Sequence, residues 1–314
     1  MAMIEVSQLT KYYGSFAALK SVDFSVDRGE ILGFLGPNGA GKTTTMKILT
    51  GFLNPSEGTA TVAGHNVLED SVEVRRKIGY LPENTPLYED LRVVDYLRYA
   101  GRLRRMGGRH LQTRIDAVVS TTSLWPKYRA PIRTLSKGYR QRVGIAQALL
   151  HEPEIIILDE PTVGLDPNQV VDVRRLIQEV GDDRTVVLCS HILSEVEATC
   201  GRVVIINQGS IVANGKPSDL KEQLGSAVSI DVSARSTGDR LLLALKSVSG
   251  ITTSRIRRES EGVATVRCDV PGEATAVCER IQGALSHTGL SLVALTPNQA
   301  SLEDVFRSLT KESA

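Results

Sequence analysis

The nine residues GPNGAGKTT, Gly36 to Thr44, constrain this chain more than any other stretch. Three glycines so close together cannot build a core; glycine is placed where the backbone must take positive φ or where another group must come near. The flanks narrow the choice. EILGFLG before the glycines is an apolar run of strand length, and TTTMKILTGFL after them has helical spacing at Met46, Leu49, Thr50 and Leu53. Strand, glycine loop and helix are the context that G-x-x-x-x-G-K-[ST] requires, here Gly36 through Gly41, then Lys42 and Thr43. The loop of Gly36, Pro37, Asn38, Gly39, Ala40 and Gly41, with Thr44 at the helix start, is then a cradle for phosphate oxygens. Lys42 serves as a point charge on the β- and γ-phosphates and Thr43 as a ligand to Mg²⁺. An ordinary glycine-rich turn is the alternative, and the motif by itself names a large class without naming a function.

A chain of 314 residues is enough for roughly two domains of about 150 residues each. Net charge is +1 and aromatic residues make up 4%, so neither a basic surface nor a base-stacking platform points to nucleic acid. No apolar stretch approaches the ~20 residues needed to cross a bilayer. The opening MAMIEVSQLTKYYG has no basic region followed by an apolar one, so no signal peptide is read and the expected location is the cytoplasm. Cys189, Cys200, Cys268 and Cys278 form no C-x-x-C pair and have no histidines at zinc spacing, which suits plain thiols in a reducing compartment.

Up to about residue 220 the chain alternates strand-like and helix-like segments. TATVAG, KIGYLP, EIIILDEP, TVVLCSH and RVVIINQG are short β-rich runs, several continuous enough to be buried on both faces. This alternation predicts an α/β domain over 1–222 with a largely parallel sheet. Residues from about 84 to 150 show helical patterns and no clear strand, so they read as an all-helical insertion. Around Gly225 the character changes. AVSIDV, DRLLLALKSV, ITTSRIR, VATVRCDV, ATAVCERIQGALSH and LSLVALT give β-α-β-β-α-β over 225–314, the order of a ferredoxin-like α+β domain. SLEDVFRSLTK reads as a final helix with Ser301 as N-cap and Asp304 placed for a capping box.

Five further features bear on the glycine loop. EIIILDEP ends a buried strand with Asp159 and Glu160, an arrangement that is costly unless the charges face a cleft or a metal. Asp159 suits an outer-shell partner of Mg²⁺ and Glu160 a general base for water attacking phosphate. LSKGY places Ser136 as the N-cap of an amphipathic helix, with Ser136 and Gly138 able to face an anion. His191 follows the strand TVVLCS, where a γ-phosphate contact would lie beyond a strand's carboxyl end, and Ser194 is a candidate cap for the helix after it. VGLD ends at Asp166, and the ring of Tyr13 can stack on a purine. Taken singly, the last four features have structural readings: a capped helix, a strand-end histidine, a turn, a half-buried aromatic.

Taken together they resemble the nucleotide-binding subunits of ATP-binding cassette (ABC) transporters, over residues 3 to about 220. Gly36–Thr43 is similar to that family's Walker A loop, IIILDE to Walker B, LSKGY to the signature, VGLD to the D-loop, His191 to the switch histidine and Tyr13 to the adenine-stacking aromatic. A signature lying shortly before Walker B separates this family from other phosphate-loop ATPases. Glu83 in GYLPEN stands where the family commonly has glutamine, retaining an oxygen that can reach Mg²⁺, and Lys137 stands where the signature commonly has glycine. GYLPEN with a tail ending SLEDVF resembles the exporter-type branch that includes gliding-motility, drug-resistance and nitrous-oxide-reductase maturation ATPases, with a leaning to the gliding-motility group.

The resemblance implies a phosphate-loop cassette with a helical subdomain, binding ATP and Mg²⁺ and hydrolysing ATP. It implies a head-to-tail homodimer in which Ser136 and Gly138 of one copy close on the loop of the other. It also implies a separate transmembrane permease, docked near the helical insertion and Glu83, and hence a cytoplasmic subunit on the inner face of the cell membrane. A soluble member of the superfamily acting on ribosomes or DNA is the rival reading; such proteins carry two cassettes or a long coiled coil, neither of which this sequence shows. A metabolic phosphate-loop kinase would lack the signature and His191.

Overall fold

The structure, a computed structural model, describes residues 2–223, 227–271, 274–298 and 301–310. The chain divides into two compact units, Met1–Lys216 and Pro217–Ala314. Gly225, near which the sequence changes character, lies outside the described residues.

In chain order the first unit begins β1 (Ala2–Tyr13), β2 (Phe16–Asp27), β3 (Ile31–Leu35), α1 (Lys42–Leu49), β4 (Glu57–Val62), β5 (His65–Asn66), α2 (Ser71–Lys77) and β6 (Ile78–Leu81). There follow α3 (Val93–Leu103), α4 (Gly108–Thr121) and α5 (Lys137–Leu149), then β7 (Ile155–Asp159), α6 (Pro167–Gly181), β8 (Thr185–Ser190), α7 (Leu193–Thr199), β9 (Arg202–Asn207) and β10 (Ser210–Gly215). The strands form two sheets. One is antiparallel, ordered β2-β1-β4-β5; the other is ordered β10-β9-β3-β8-β7-β6 and is parallel except at β10. Sequence alternation predicts the parallel sheet but not the antiparallel one beside it.

Every residue of β7 and β8 is buried, as continuous apolar strands between two layers must be. The core joins both sheets: Ile4, Val6 and Leu9 of β1 and Val22 and Phe24 of β2 meet Phe34 of β3 and Met46, Ile48 and Leu49 of α1. The rings of Phe24 and Phe34 lie 5.3 Å apart. Between β6 and β7 the chain runs through α3, α4, two short 3₁₀ turns (Trp125–Lys127 and Ile132–Thr134) and α5. Leu97, Leu111, Ile115 and Ile145 are buried on the inward faces of these helices.

The second unit comprises α8 (Pro217–Gln223), β11 (Ala227–Arg235), α9 (Gly238–Leu245), β12 (Thr253–Ser260), β13 (Val263–Pro271), α10 (Ala274–His287), β14 (Ser291–Asn298) and α11 (Leu302–Thr310). Its sheet is antiparallel throughout, ordered β12-β13-β11-β14, the ferredoxin-like arrangement. Ile230, Val232, Val266 and Cys268 alternate onto one face and pack with Leu241, Leu245, Val277, Ile281 and Leu285 of α9 and α10. Asp231, Thr265 and Arg267 alternate onto the other face. Ser301 and Asp304 form the capping box of α11: the Ser301 N–H donates to Asp304 Oδ2 (3.1 Å) and the Asp304 N–H to Ser301 Oγ (3.3 Å). All four cysteines are free thiols, and Cys189, Cys200 and Cys268 are buried.

Candidate functional site

The glycine loop leaves β3 and turns directly into α1. Gly39 and Gly41 take φ of +80° and +112°, conformations that a side chain resists. Gly36 is fixed by space instead: a Cβ there would stand 2.5 Å from the Ile206 carbonyl oxygen. Gly41 is the N-cap of α1 and offers no side chain, and the first turn carries no acidic residue. The N–H groups at the start of α1 are therefore left for an anion.

Lys42 is buried, and its ammonium donates to the carbonyl oxygens of Gly36 (2.6 Å) and Pro37 (3.3 Å). It also stands 3.9 Å from Glu160 Oε1. Glu160 follows β7 with φ of +51°, a left-handed turn pinned by its N–H donating to the Cys189 carbonyl (2.9 Å). Glu160 Oε2 lies 2.9 Å from His191 Nδ1 at the end of β8. Parallel pairing of β7 with β8 thus delivers Glu160 and His191 to the same edge, beyond the strands' carboxyl ends.

Asp159 is 1% exposed, and neither carboxylate oxygen has a hydrogen-bond partner in the protein. Burial pushes its acid up to about 6; the nearby Thr43 hydroxyl and Lys42 ammonium lower it, while the Glu160 and Glu83 carboxylates raise it further. A buried, unpaired carboxylate beside a hydroxyl and a second carboxylate is a hard-oxygen donor set, and it fits Mg²⁺. Thr43, Asp159 and Glu83 are the residues that would hold it.

The phosphate loop opens onto a cleft of about 560 Å³, lined by Pro37, Asn38, Gly39 and Gly41 to Thr44 together with Tyr13, Phe16, Glu83, Glu160, Val163 and His191. Tyr13 and Phe16 are paired across the β1–β2 turn and stand 48% and 63% exposed at its mouth. Phe16 is an addition to the sequence reading; the signal for it is the pair of aromatics framing Gly14 in YYGSF.

Ser136, Gly138 and Asp166 do not reach this cleft. Ser136 caps α5, accepting from the Tyr139 N–H, and Asp166 caps α6, accepting from the Gln169 N–H (3.0 Å). Gly138 lies so close to the Gln169 side-chain amide that a Cβ would collide with it. Lys137 reaches its ammonium over Gly164 of the VGLD segment in the same way. One chain therefore brings Lys137 to Gly164 and Gly138 to Gln169, while of VGLD only Val163 lines the cleft of its own phosphate loop.

One expectation is corrected. Ser194 does not cap α7: the N-cap is Ile192, and Ser190 Oγ accepts the Ile192 N–H (3.0 Å), leaving Ser194 inside the first turn. A contact legible only in three dimensions joins the same region, where the Thr162 hydroxyl donates to the buried Glu195 carboxylate of α7.

The sequence pattern of the family described as "ABC transporter" matches residues 19–163. The linearmycin resistance ATP-binding protein LnrL of Bacillus subtilis (strain 168) is 30% identical over 98% of this chain and 98% of its own. The daunorubicin/doxorubicin resistance ATP-binding protein DrrA of Streptomyces peucetius is 34% identical over 99% of this chain and 93% of its own. A solved structure described as the dimeric post-hydrolysis state of an ATP-binding cassette, bound to ADP and Pi, superposes with a TM-score of 0.62 at 26% identity, covering 68% of this chain and 98% of that one. With the phosphate loop, the Glu160 carboxylate and the strand-end histidine meeting in one cleft, this chain belongs to the ATP-binding subunits of ABC transporters.

Proposed function

We propose that this chain is the ATP-hydrolysing subunit of an exporter, working as a homodimer beneath a separate transmembrane permease on the inner face of the cell membrane. The observation that carries the reading is the half-built site. Lys42, Thr43, Glu83, Glu160 and His191 line one cleft, with Asp159 buried next to Glu160, whereas Ser136 and Gly138 lie outside it. A second copy facing the first head to tail brings its Ser136 and Gly138 to the open side, so the site is complete only when both halves meet.

Within the closed site the loop N–H groups and Lys42 hold the β- and γ-phosphates, and Tyr13 with Phe16 takes the adenine face. Glu160 accepts a proton from the water that attacks the γ-phosphate, and its position is set by His191 on one side and Lys42 on the other. Mg²⁺, when bound, neutralises phosphate charge. Loss of the γ-phosphate removes the contacts that hold two copies together.

Two further observations support the transporter setting. Among the described residues no helix is long and apolar enough to cross a membrane, in keeping with a separate permease. A second cleft, about 730 Å³ and more apolar than the first, lies within the cassette between Phe52, Tyr80, Pro82, Pro86 and Gln147. Phe52 is 79% exposed there, which suits a permease segment that buries it. The names of the resistance relatives favour export of a small bioactive molecule.

The test is Glu160→Gln, tagged and purified from native membranes with Mg-ATP. Hydrolysis falls by ~10²–10⁴ while ATP affinity is kept, and a multi-span membrane protein co-purifies. Undiminished turnover would remove Glu160 from the chemistry; ribosomal or DNA-repair proteins in place of a membrane protein would replace the transport reading.

A further inference from the structure

The open face of the second unit's sheet carries a group of arginines that ATP hydrolysis does not use. A row of residues runs straight across the strands. Arg255 of β12 pairs with Arg267 of β13, Arg267 with Asp231 of β11, and Asp231 with Thr296 of β14. Like charges directly opposite one another destabilise a sheet, yet Arg255 and Arg267 occupy such a pair. Asp231 is the one carboxylate in the row, and it is fully engaged. It accepts from Arg267 Nε (2.8 Å) and Nη2 (2.8 Å) and from Arg257 Nη1 (2.8 Å). These bonds hold its acid below the usual carboxylate range.

Arg307 of α11 comes over the same face, bound to Glu303 (2.9 Å). Asp304 bonds Ser301 in the capping box, and its carboxylate lies in electrostatic reach of Arg267 and Arg307. Arg255 has no acidic partner among the described residues. A guanidinium offers five N–H donors; the carboxylate bonds use one on Arg257, two on Arg267 and one on Arg307. Arg255, Arg257, Arg267 and Arg307 line a cavity of about 450 Å³ that lies wholly within this unit, together with Ser229, Asn298 and the carboxylates Glu303 and Asp304, so four guanidinium groups outnumber the carboxylates at its wall. That volume falls in the range of small-molecule sites, about 300–1,000 Å³.

We propose that this cavity binds a small phosphate-bearing anion. Guanidinium forks match phosphate oxygens bidentately, and donors arriving from β12, β13 and α11 suit a tetrahedral, multiply charged group better than a flat carboxylate. Two sources share this chemistry, a soluble phosphorylated compound and the headgroup of an anionic lipid.

The test uses the full chain carrying Lys42→Ala, which weakens the phosphate loop, with and without Arg255→Gln, so that any binding left at the loop is the part indifferent to the arginine variants. The exposed Arg255 side chain bonds nothing among the described residues, so its replacement leaves the fold intact; Arg307→Gln, at a half-buried side chain bonded to Glu303 within α11, is the second variant. Inorganic pyrophosphate is titrated calorimetrically, and flotation is compared on phosphatidylglycerol and phosphatidylcholine vesicles. Pyrophosphate binding that either arginine variant weakens about tenfold or more supports the site with a soluble ligand. Flotation on phosphatidylglycerol alone, reduced by the same variants, supports it with a headgroup. Binding indifferent to both variants, or no binding to either probe, overturns the proposal.

Discussion

The buried contact between Thr162 and Glu195 offers a quantitative test of how the catalytic edge is held. Thr162 lies two residues after Glu160 and is 4% exposed; Glu195, in the helix that follows His191, is 7% exposed. Thr162→Val keeps the shape and removes the donor, leaving a carboxylate out of water with its hydrogen bond unmade. A hydrogen bond to a charged group contributes about 1.5–3 kcal/mol, and the orphaned partner keeps its desolvation cost. A loss of about 2–3 kcal/mol is therefore expected, or about 4–12 °C in the melting of a unit this size. Glu195→Leu orphans only a neutral hydroxyl and costs about 1 kcal/mol from that source. The double variant leaves neither group, so it is less damaged than the sum of the singles by about 1–2 kcal/mol. Trp125 is the sole tryptophan and lies in the first unit, so its fluorescence in denaturant titrations reports on that unit. Single effects that add to the double within about 0.5 kcal/mol would show that the two side chains are not coupled and refute the reasoning.

Lys42→Ala removes the buried cation from the loop; ATP affinity falls about tenfold to a hundredfold, and unchanged binding of a fluorescent ATP analogue would count against the phosphate-loop reading. Asp159 predicts a pH signature in nucleotide-free chain held in EDTA. Its acid stands at about 6 in the fold against an ordinary 3.8, so ionising it costs the folded state up to about 3 kcal/mol above pH 6. That stability is fully present below about pH 4 and is lost as pH rises through 6. Asp159→Asn is accordingly more stable than the wild type at pH 7.5, by a margin that closes towards pH 4, and it binds Mg-nucleotide more weakly. A variant less stable at pH 7.5 would show that the carboxylate has a partner in the fold.

Much of the cleft was legible because its demands are local. Gly39 and Gly41 must take positive φ, and Gly36 must leave room for a backbone oxygen, so the loop writes itself into the sequence as glycine. β7 and β8 are buried on both faces and read as unbroken apolar runs. β1 and β2 hide better. Their pairing slips between Val6 and Leu9, and Gln8 and Ser21 take positive φ, so the two-residue period is interrupted in each strand. The Ser194 cap failed for a different reason: Ser190, four residues earlier, supplies the bond that sets the turn. Thr162 meets Glu195 across 33 positions of chain, and Gly138 meets Gln169 only because α5 and α6 come together. No local pattern records such meetings.

The resting position of Lys42 has a consequence for selectivity. Its ammonium is already satisfied by the carbonyls of Gly36 and Pro37, so the loop carries an internal competitor for its own cation. An incoming ligand must outbid those two oxygens before it gains anything from the charge. A nucleoside offers nothing to exchange, and a single phosphate has few oxygens with which to reach both the loop N–H groups and the ammonium. Several phosphates in series reach both at once. The exchange sets a threshold of charge and length, and it turns a cradle that any anion could enter into one that favours polyphosphate tails.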